Sequence, residues 1–484
     1  MDEFNLDAVA RKSVKGVFAL VSRTFFIQIL TILASFILTV YLAPEAYGVF
    51  FVVSSIVVFL TYFQDIGLAA ALIQKKEEPT VDELRSTFTI QQIIVLAIII
   101  PVVFFSKHIV SFYGLNIEGY FLLLALLFSF FLSSLRTIPT VLLERRLDFN
   151  KLIIPQIAES SVYNIALIIL AVSGFGINTF TFAVIAKSIV GMIATYLVQS
   201  WPIGLSFNIK NIKSLVNFGF PFQANTVLAL IKDELLIVYI GRILPFNQVG
   251  YIGFAQRWAF MPLRLVMDNV IKITFPSMSR LQHDKAAIRV AIEKSLLLIS
   301  FLIFPTAVAI IQYSTFLIDL IPKYEKWEPA LLSLSFFALN TVFSSISTPF
   351  TNFLTAIGHI RITLMFMVFW TVTTWILTPL LIFTYGFNGF AIASFLISCT
   401  SIIVFVVARK FIKFSLIKPV VRQLFASVIM FLVIQFSKEI IVSFPTLFIN
   451  MFIAGIVYLG VIFALGGAEL VKTAKFIIVS VRSK

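Results

Sequence analysis

The sequence predicts an all-α integral membrane protein with about fourteen transmembrane helices, and three observations carry that expectation. Of its 484 residues, 60% are hydrophobic and only 12% are charged, whereas roughly a quarter of the residues in a soluble domain are charged. The apolar residues form continuous runs, as in 93–105 and 121–131, rather than the period-two alternation of barrel strands, so the backbone must be satisfied inside helices. Basic residues recur on alternate segments between the runs, as the positive-inside rule requires of a chain that crosses repeatedly.

The spans read from the apolar runs are 17–41, 46–73, 87–106, 120–143, 152–172, 177–200, 218–241, 250–276, 294–314, 331–356, 362–384, 388–408, 422–443 and 446–467. The polar start MDEFNLDAVARKSVKG leads into an apolar stretch longer than a signal-peptide core, so the first helix is expected to be retained. With this count about 25 Lys and Arg lie on one side of the membrane and about 5 (Lys107, Arg242, Lys323, Lys326, Lys438) on the other. That asymmetry predicts a multi-pass inner-membrane protein with both termini cytoplasmic. It also accounts for the net charge of +14 by topology rather than by nucleic-acid binding.

A weak internal repeat is visible. Tyr41-Leu-Ala-Pro44-Glu-Ala-Tyr-Gly48 and Arg242-Ile-Leu-Pro245-Phe-Asn-Gln-Val-Gly250 follow the first and seventh spans, pairing Pro44 with Pro245 and Gly48 with Gly250. An even number of spans between the copies gives them one orientation, hence parallel repeats. The expected organisation is an N-terminal lobe of six helices (1–205), a C-terminal lobe of six (206–415), and two further helices with a cytoplasmic tail (416–484). Residues 201–217 read as the linker. Prolines inside spans, Pro101, Pro139, Pro262, Pro305, Pro349 and Pro379, are expected to kink their helices.

Ionisable residues inside spans are expensive and mark candidate sites. The cations are Arg23, Arg136, Arg257, Arg264 and Lys272, with Lys187 and Lys232 besides; the acids are Asp65, Glu159, Asp233, Glu234 and Asp268. At ~100° per residue, Arg257, Arg264, Asp268 and Lys272 fall within about 80° of one another over ~22 Å of rise. Gln28, Thr31 and Ser35 form a polar stripe on the first span, and Gln223 shares a broad face of the seventh with Asp233 and Glu234. Lys232 points nearly opposite to that face. Asp65 and Glu159 either couple transport to H+ or Na+ or pair with an arginine such as Arg136 or Arg257. The cations slightly outnumber the acids, which suits an anionic head group better than a cationic drug.

No Gly-x-x-x-x-Gly-Lys-Ser/Thr, Gly-x-Ser-x-Gly or His-Glu-x-x-His occurs, and the three histidines and single Cys399 make no metal-ligand spacing. The chain is expected to be neither an enzyme nor a resident-cofactor or metal protein.

Six segments carry a resemblance: Gln64–Gln74 (QDIGLAAALIQ), Leu142–Phe149 (LLERRLDF), Asp233–Arg242 (DELLIVYIGR), Gly250–Arg257 (GYIGFAQR), Phe275–Asp284 (FPSMSRLQHD) and Lys326–Ala330 (KWEPA). In type and order they resemble the polysaccharide-exporter, or Wzx-like, flippases of the multidrug/oligosaccharidyl-lipid/polysaccharide superfamily. The resemblance implies a MATE-like fold and alternating-access translocation of a polyprenyl-pyrophosphate-linked oligosaccharide through a cationic cavity. It also implies a role in O-antigen, capsule or exopolysaccharide synthesis alongside polymerase or export partners. The matched positions include Asp65, Asp233, Arg257 and Arg264, the two arginines being the pyrophosphate contacts, and a monomer is expected. Two other readings compete. An ion-coupled multidrug or small-solute antiporter would need acids and aromatics for cations. A membrane-embedded polymerase or glycosyltransferase would need a sizeable external loop with acidic residues, which the short loops do not offer.

Overall fold

The computed structural model describes residues 6–64, 67–75, 77–207, 227–280, 284–415 and 417–466. Among them every regular element is helical, as the continuous apolar runs demand. The helices are α1 (Leu6–Tyr41), α2 (Pro44–Thr61), α3 (Leu68–Gln74), α4 (Val81–Phe104), α5 (Ser106–Tyr113), α6 (Ile117–Leu135), α7 (Thr137–Arg145), α8 (Phe149–Val172) and α9 (Asn178–Val198). They continue with α10 (227–243), α11 (Phe246–Arg280), α12 (Lys285–Leu320), α13 (Leu331–Ala356), α14 (Ile360–Tyr385), α15 (Asn388–Cys399), α16 (Ile402–Arg409), α17 (Ile417–Phe436) and α18 (Phe444–Ala464). Among the described residues, 12 helices are long and apolar enough to cross a membrane. Two of the fourteen expected spans, 218–241 and 250–276, are not among the twelve: the first is described only from residue 227, and the second carries Arg257, Arg264, Asp268 and Lys272.

The chain forms two compact units, Met1–Gly250 and Tyr251–Lys484. In the first, α8 packs along α1 and α9, α6 packs on α9 and α2, and α3 packs on α7. Its core includes Leu68, Leu72, Ile138, Val141 and Trp201. In the second, α12 is the central element, flanked by α13 and α17, with α14 and α15 beyond and α18 against α17. Phe350, Phe353, Ile292 and Ile299 fill its core. Tyr313 donates to Asn450 at 2.7 Å, and Asn450 donates in turn to Ser437 at 2.6 Å, so the last two helices are joined to α12 by polar contacts as well as apolar ones.

Several expected spans are broken. The second stops at Thr61, passes through a 3-10 turn at Tyr62–Gln64, and resumes as α3. Gly67 has φ +78°, a left-handed value that a side chain resists. The fourth is divided at Arg136, which ends α6 and starts α7. The cause is Pro139: it has no N–H for the carbonyl of Leu135, and its ring crowds that carbonyl. The freed oxygen accepts from the Tyr196 hydroxyl at 2.8 Å. Consecutive glutamines of α4 brace both sides of the break, Gln91 donating to Thr137 at 2.7 Å and Gln92 accepting from Ser134 at 3.2 Å. Pro101, Pro155, Pro305, Pro349 and Pro379, by contrast, sit inside uninterrupted helices. Tyr196→Phe is expected to strand the Leu135 carbonyl and cost about 1–3 kcal/mol, measurable as a lower unfolding temperature of the purified protein.

The side of the first unit that carries basic residues is tied by arginine. Arg145, in the Leu142–Phe149 segment, donates to the carbonyls of Leu72 (2.7 Å), Lys75 (2.6 Å) and Glu77 (2.5 Å). It thereby satisfies the orphan acceptors at the end of α3. Thr80 and Glu83 form a reciprocal capping box at the start of α4, and Lys75 binds Glu83 at 2.6 Å.

The repeated glycines meet. A Cβ on Gly48 would overlap the carbonyl of Phe246, and one on Gly250 would overlap the carbonyl of Pro44. The two glycines of the expected repeat thus face each other across one crossing, each against a carbonyl of the opposite segment. Gly241 of α10 packs against Val52 of α2 just beyond this crossing.

Candidate functional site

The predicted intramembrane charges fall into separate groups. In the first unit Arg136 and Glu159 form an ion pair, Nη1 to Oε2 at 2.5 Å. The break before α7 places Arg136, and α8 carries Glu159 toward it. Gly191 of α9 is what admits the pair, because a Cβ there would overlap both the guanidinium and the carboxylate. Both side chains are mostly buried, at 21% and 16% exposure, so each charge is held by the other. A single Arg at the centre of a membrane helix costs ~2.5–3.5 kcal/mol on insertion scales.

One turn along the same two helices, Tyr163 follows Glu159 and Lys187 precedes Gly191. The Lys187 ammonium lies over the Tyr163 ring, 5.2 Å from its centroid. Counting ~1.5 Å per residue, Lys187 is about 14 Å from the start of α9, near the middle of a helix about as long as a bilayer is thick. Phe182, Ile189, Ile193 and Leu197 form the exposed apolar face of α9. Lys187 points about 125° away from that face. On α8 the exposed face is Ile154, Ile165, Ile169 and Val172, and Glu159 and Tyr163 lie on the other side. From sequence, Lys187 is one more ionisable residue inside an apolar run, with no partner to suggest a role. Only the packing of α8 on α9 shows it beside an aromatic ring and a neutralised ion pair.

The polar stripe of α1 is largely a helix contact. Asn164 of α8 donates to Thr31 Oγ1 at 3.4 Å and to the Ser160 carbonyl at 2.8 Å. Ser35 is buried, donating to the Thr31 carbonyl at 2.5 Å, while Gln28 is half-buried. On α10, Lys232 folds back to bind Asp233 at 2.6 Å, reaching round the helix where the periodicity had set it opposite. Glu234 is half-buried and Asp233 exposed. Asp65 and Gln223 lie outside the described residues, and the side chains of Arg23, Asp268 and Lys272 lie outside the description as well.

In the second unit Arg257 and Arg264 are exposed and share one face of α11, about 20° apart. The helix begins at Phe246 and runs 35 residues, or ~52 Å, well beyond the ~30 Å of hydrocarbon. Arg257 stands about 16 Å and Arg264 about 27 Å along it, whereas Asp268 and Lys272 stand beyond ~30 Å. The helix is thus longer than one hydrocarbon thickness, and Asp268 and Lys272 stand beyond that length from its start. Beside Arg257, the Trp258 indole N–H is buried with no hydrogen-bond partner among the described residues.

Comparison with known proteins follows this architecture. The Lipid II flippase MurJ, in an inward closed conformation, superposes with a TM-score of 0.77 at 19% identity, covering 94% of this chain and 100% of that one. A multidrug resistance MATE family transporter in its inward-facing conformation gives 0.63 at 15% identity, covering 79% and 94%. These likenesses establish the MATE-like fold. In sequence, the chain is 24% identical to the succinoglycan biosynthesis transport protein ExoT of Rhizobium meliloti over 245 residues, 50% of this chain and 49% of that protein. The match therefore spans about half the length of that relative. The profile of the polysaccharide biosynthesis protein family matches residues 37–332, more than half of the chain, and this multi-pass membrane protein belongs to that family.

Proposed function

We propose that the protein is a flippase, carrying a polyprenyl-pyrophosphate-linked oligosaccharide from the cytoplasmic to the outer leaflet by alternating access for cell-surface polysaccharide synthesis. What supports the reading is the coincidence, in a polysaccharide biosynthesis family member, of a transporter fold with cations inside its long helices: Lys187 turned away from the exposed apolar face of α9, and Arg257 and Arg264 on one face of α11. A pyrophosphate and several sugars cannot cross ~30 Å of hydrocarbon without a polar path, whereas the polyprenyl tail can stay in lipid. In this reading residues 1–205 and 206–415 act as the two lobes, and 416–484 supply accessory helices. Arg257 and Arg264 contact the head group, and both termini lie in the cytoplasm of an inner-membrane protein that serves a polymerase or exporter. Asp233, already bound to Lys232, and Glu159, already bound to Arg136, are held as structural acids. Asp65, Glu234 and Asp268 are the remaining acids for a coupling ion.

The fold shared with a multidrug transporter favours one alternative, an ion-coupled antiporter. One experiment separates the two. In a deletion strain, lipid-linked oligosaccharide is expected to accumulate on the cytoplasmic leaflet and to be cleared by the wild-type gene. Arg264→Ala is expected to clear it roughly 10-fold more slowly, the kinetic equivalent of losing ~1.4 kcal/mol of head-group contact. Unchanged lipid-linked pools with altered efflux of cationic dyes would establish the antiporter instead.

A further inference from the structure

Within the first unit, two cations sit one helical turn apart, and the structure treats them differently. Arg136 is bound by Glu159 at 2.5 Å and boxed in by Gly191. Lys187 makes no ion pair with any described residue, and its ammonium lies over the face of the Tyr163 ring. The nearest acid along α8, Glu159, is already taken. The pair cancels, so this layer of the unit carries one net positive charge, on Lys187.

A ring face attracts an ammonium without neutralising it. Lys187 keeps three donors on a compact charge, and Tyr163 restricts where they point. The ammonium is half-buried and turned from the exposed apolar side of α9, so an ion near the middle of its helix has no permanent counter-ion among the described residues. A site built this way is completed by an anion that arrives and leaves.

On the reading that the protein moves a lipid-linked sugar, we infer that Lys187 is a phosphate-contacting, specificity-determining residue. Tyr163 is its positioning residue, and Arg136 is excluded from substrate contact by Glu159. The ligand class is a polyprenyl phosphate or pyrophosphate head group, and the charge on Lys187 separates it from the neutral polyprenol. Arg136, which the sequence alone offers as the cavity cation of this region, is instead part of the frame that holds α6, α8 and α9 in register.

The test uses the purified full-length chain and three probes that share one tail: farnesyl pyrophosphate, farnesyl monophosphate and farnesol. Wild type is expected to bind them in that order by calorimetric titration. Lys187→Gln is expected to weaken farnesyl pyrophosphate about 10-fold or more and leave farnesol unchanged, with Lys187→Arg within about 3-fold of wild type. Wild-type preference for the pyrophosphate retained in Lys187→Gln would overturn the role of Lys187 and leave the flippase reading standing. Failure of wild type to prefer the pyrophosphate over farnesol would overturn both. If the variants do not fold, labelling of wild-type Lys187 by an amine reagent decides the matter. Protection by farnesyl pyrophosphate but not by farnesol supports the contact, and equal labelling overturns it.

Discussion

Gly48→Ala and Gly250→Ala are each expected to destabilise the protein by about 1–3 kcal/mol or more, and Gly48→Val by the upper end of that range. Each glycine faces a backbone carbonyl, Phe246 for Gly48 and Pro44 for Gly250. A methyl group there cannot be accommodated by turning a side chain, so α2 and the first turn of α11 must separate. That separation would also lift Val52 away from Gly241. Because the two overlaps belong to one crossing, the double variant is expected to lose less than the sum of the single losses, as sites in direct contact do. Thermal unfolding of purified protein measures this. Gly455→Ala and Gly460→Ala are the controls: both lie in α18 with nothing within 4 Å of an added Cβ. Intrinsic helix propensity is expected to make them neutral or stabilising by up to ~1 kcal/mol. Equal losses at all four positions would dispose of the close-crossing explanation.

The second large effect is expected at the ion pair of the first unit. Breaking a buried pair by removing one partner costs ~3–5 kcal/mol, because the other charge is left uncompensated. Arg136 and Glu159 keep 21% and 16% exposure, which places Glu159→Gln and Arg136→Gln toward the lower end, about 3 kcal/mol each. The double variant removes both charges and is expected to recover at least ~1 kcal/mol of the summed loss. Gly191→Ala belongs to the same group, since its methyl group would push into both charged groups. Denaturant unfolding of the four proteins closes the cycle. Strict additivity would mean that the two side chains do not interact in solution.

Helix class and most spans are legible in the sequence because a transmembrane helix satisfies its own backbone, so hydropathy over ~20 residues decides it locally. Element ends follow less well. α1, α11 and α12 run 36, 35 and 36 residues, longer than hydrocarbon requires, since a helix can continue into water once packing and caps support it. Breaks were legible only in part. Pro139 divides its span, yet Pro101, Pro155, Pro305, Pro349 and Pro379 do not. The difference is tertiary: at Pro139 a second helix supplies Tyr196 for the freed carbonyl, and α4 supplies two glutamines.

The same division runs through the candidate site. Residue type and helical period are enough to mark charges within apolar runs as candidates, and to place Arg257 and Arg264 on one face of α11. They could not say that Arg136 and Glu159, 23 residues apart, neutralise each other, nor that Lys232 reaches back to Asp233, nor that Lys187 rests on a ring of the neighbouring helix. A one-dimensional period fixes the direction of a side chain from its own axis. Its partner depends on how the next helix is rotated and how closely it approaches, and here glycines at 48, 191 and 250 set those approaches. Hydropathy alone yields a many-helix membrane chain with ionisable residues among its apolar runs. Which charges cancel is decided by helix packing, because charge compensation depends on distance in three dimensions.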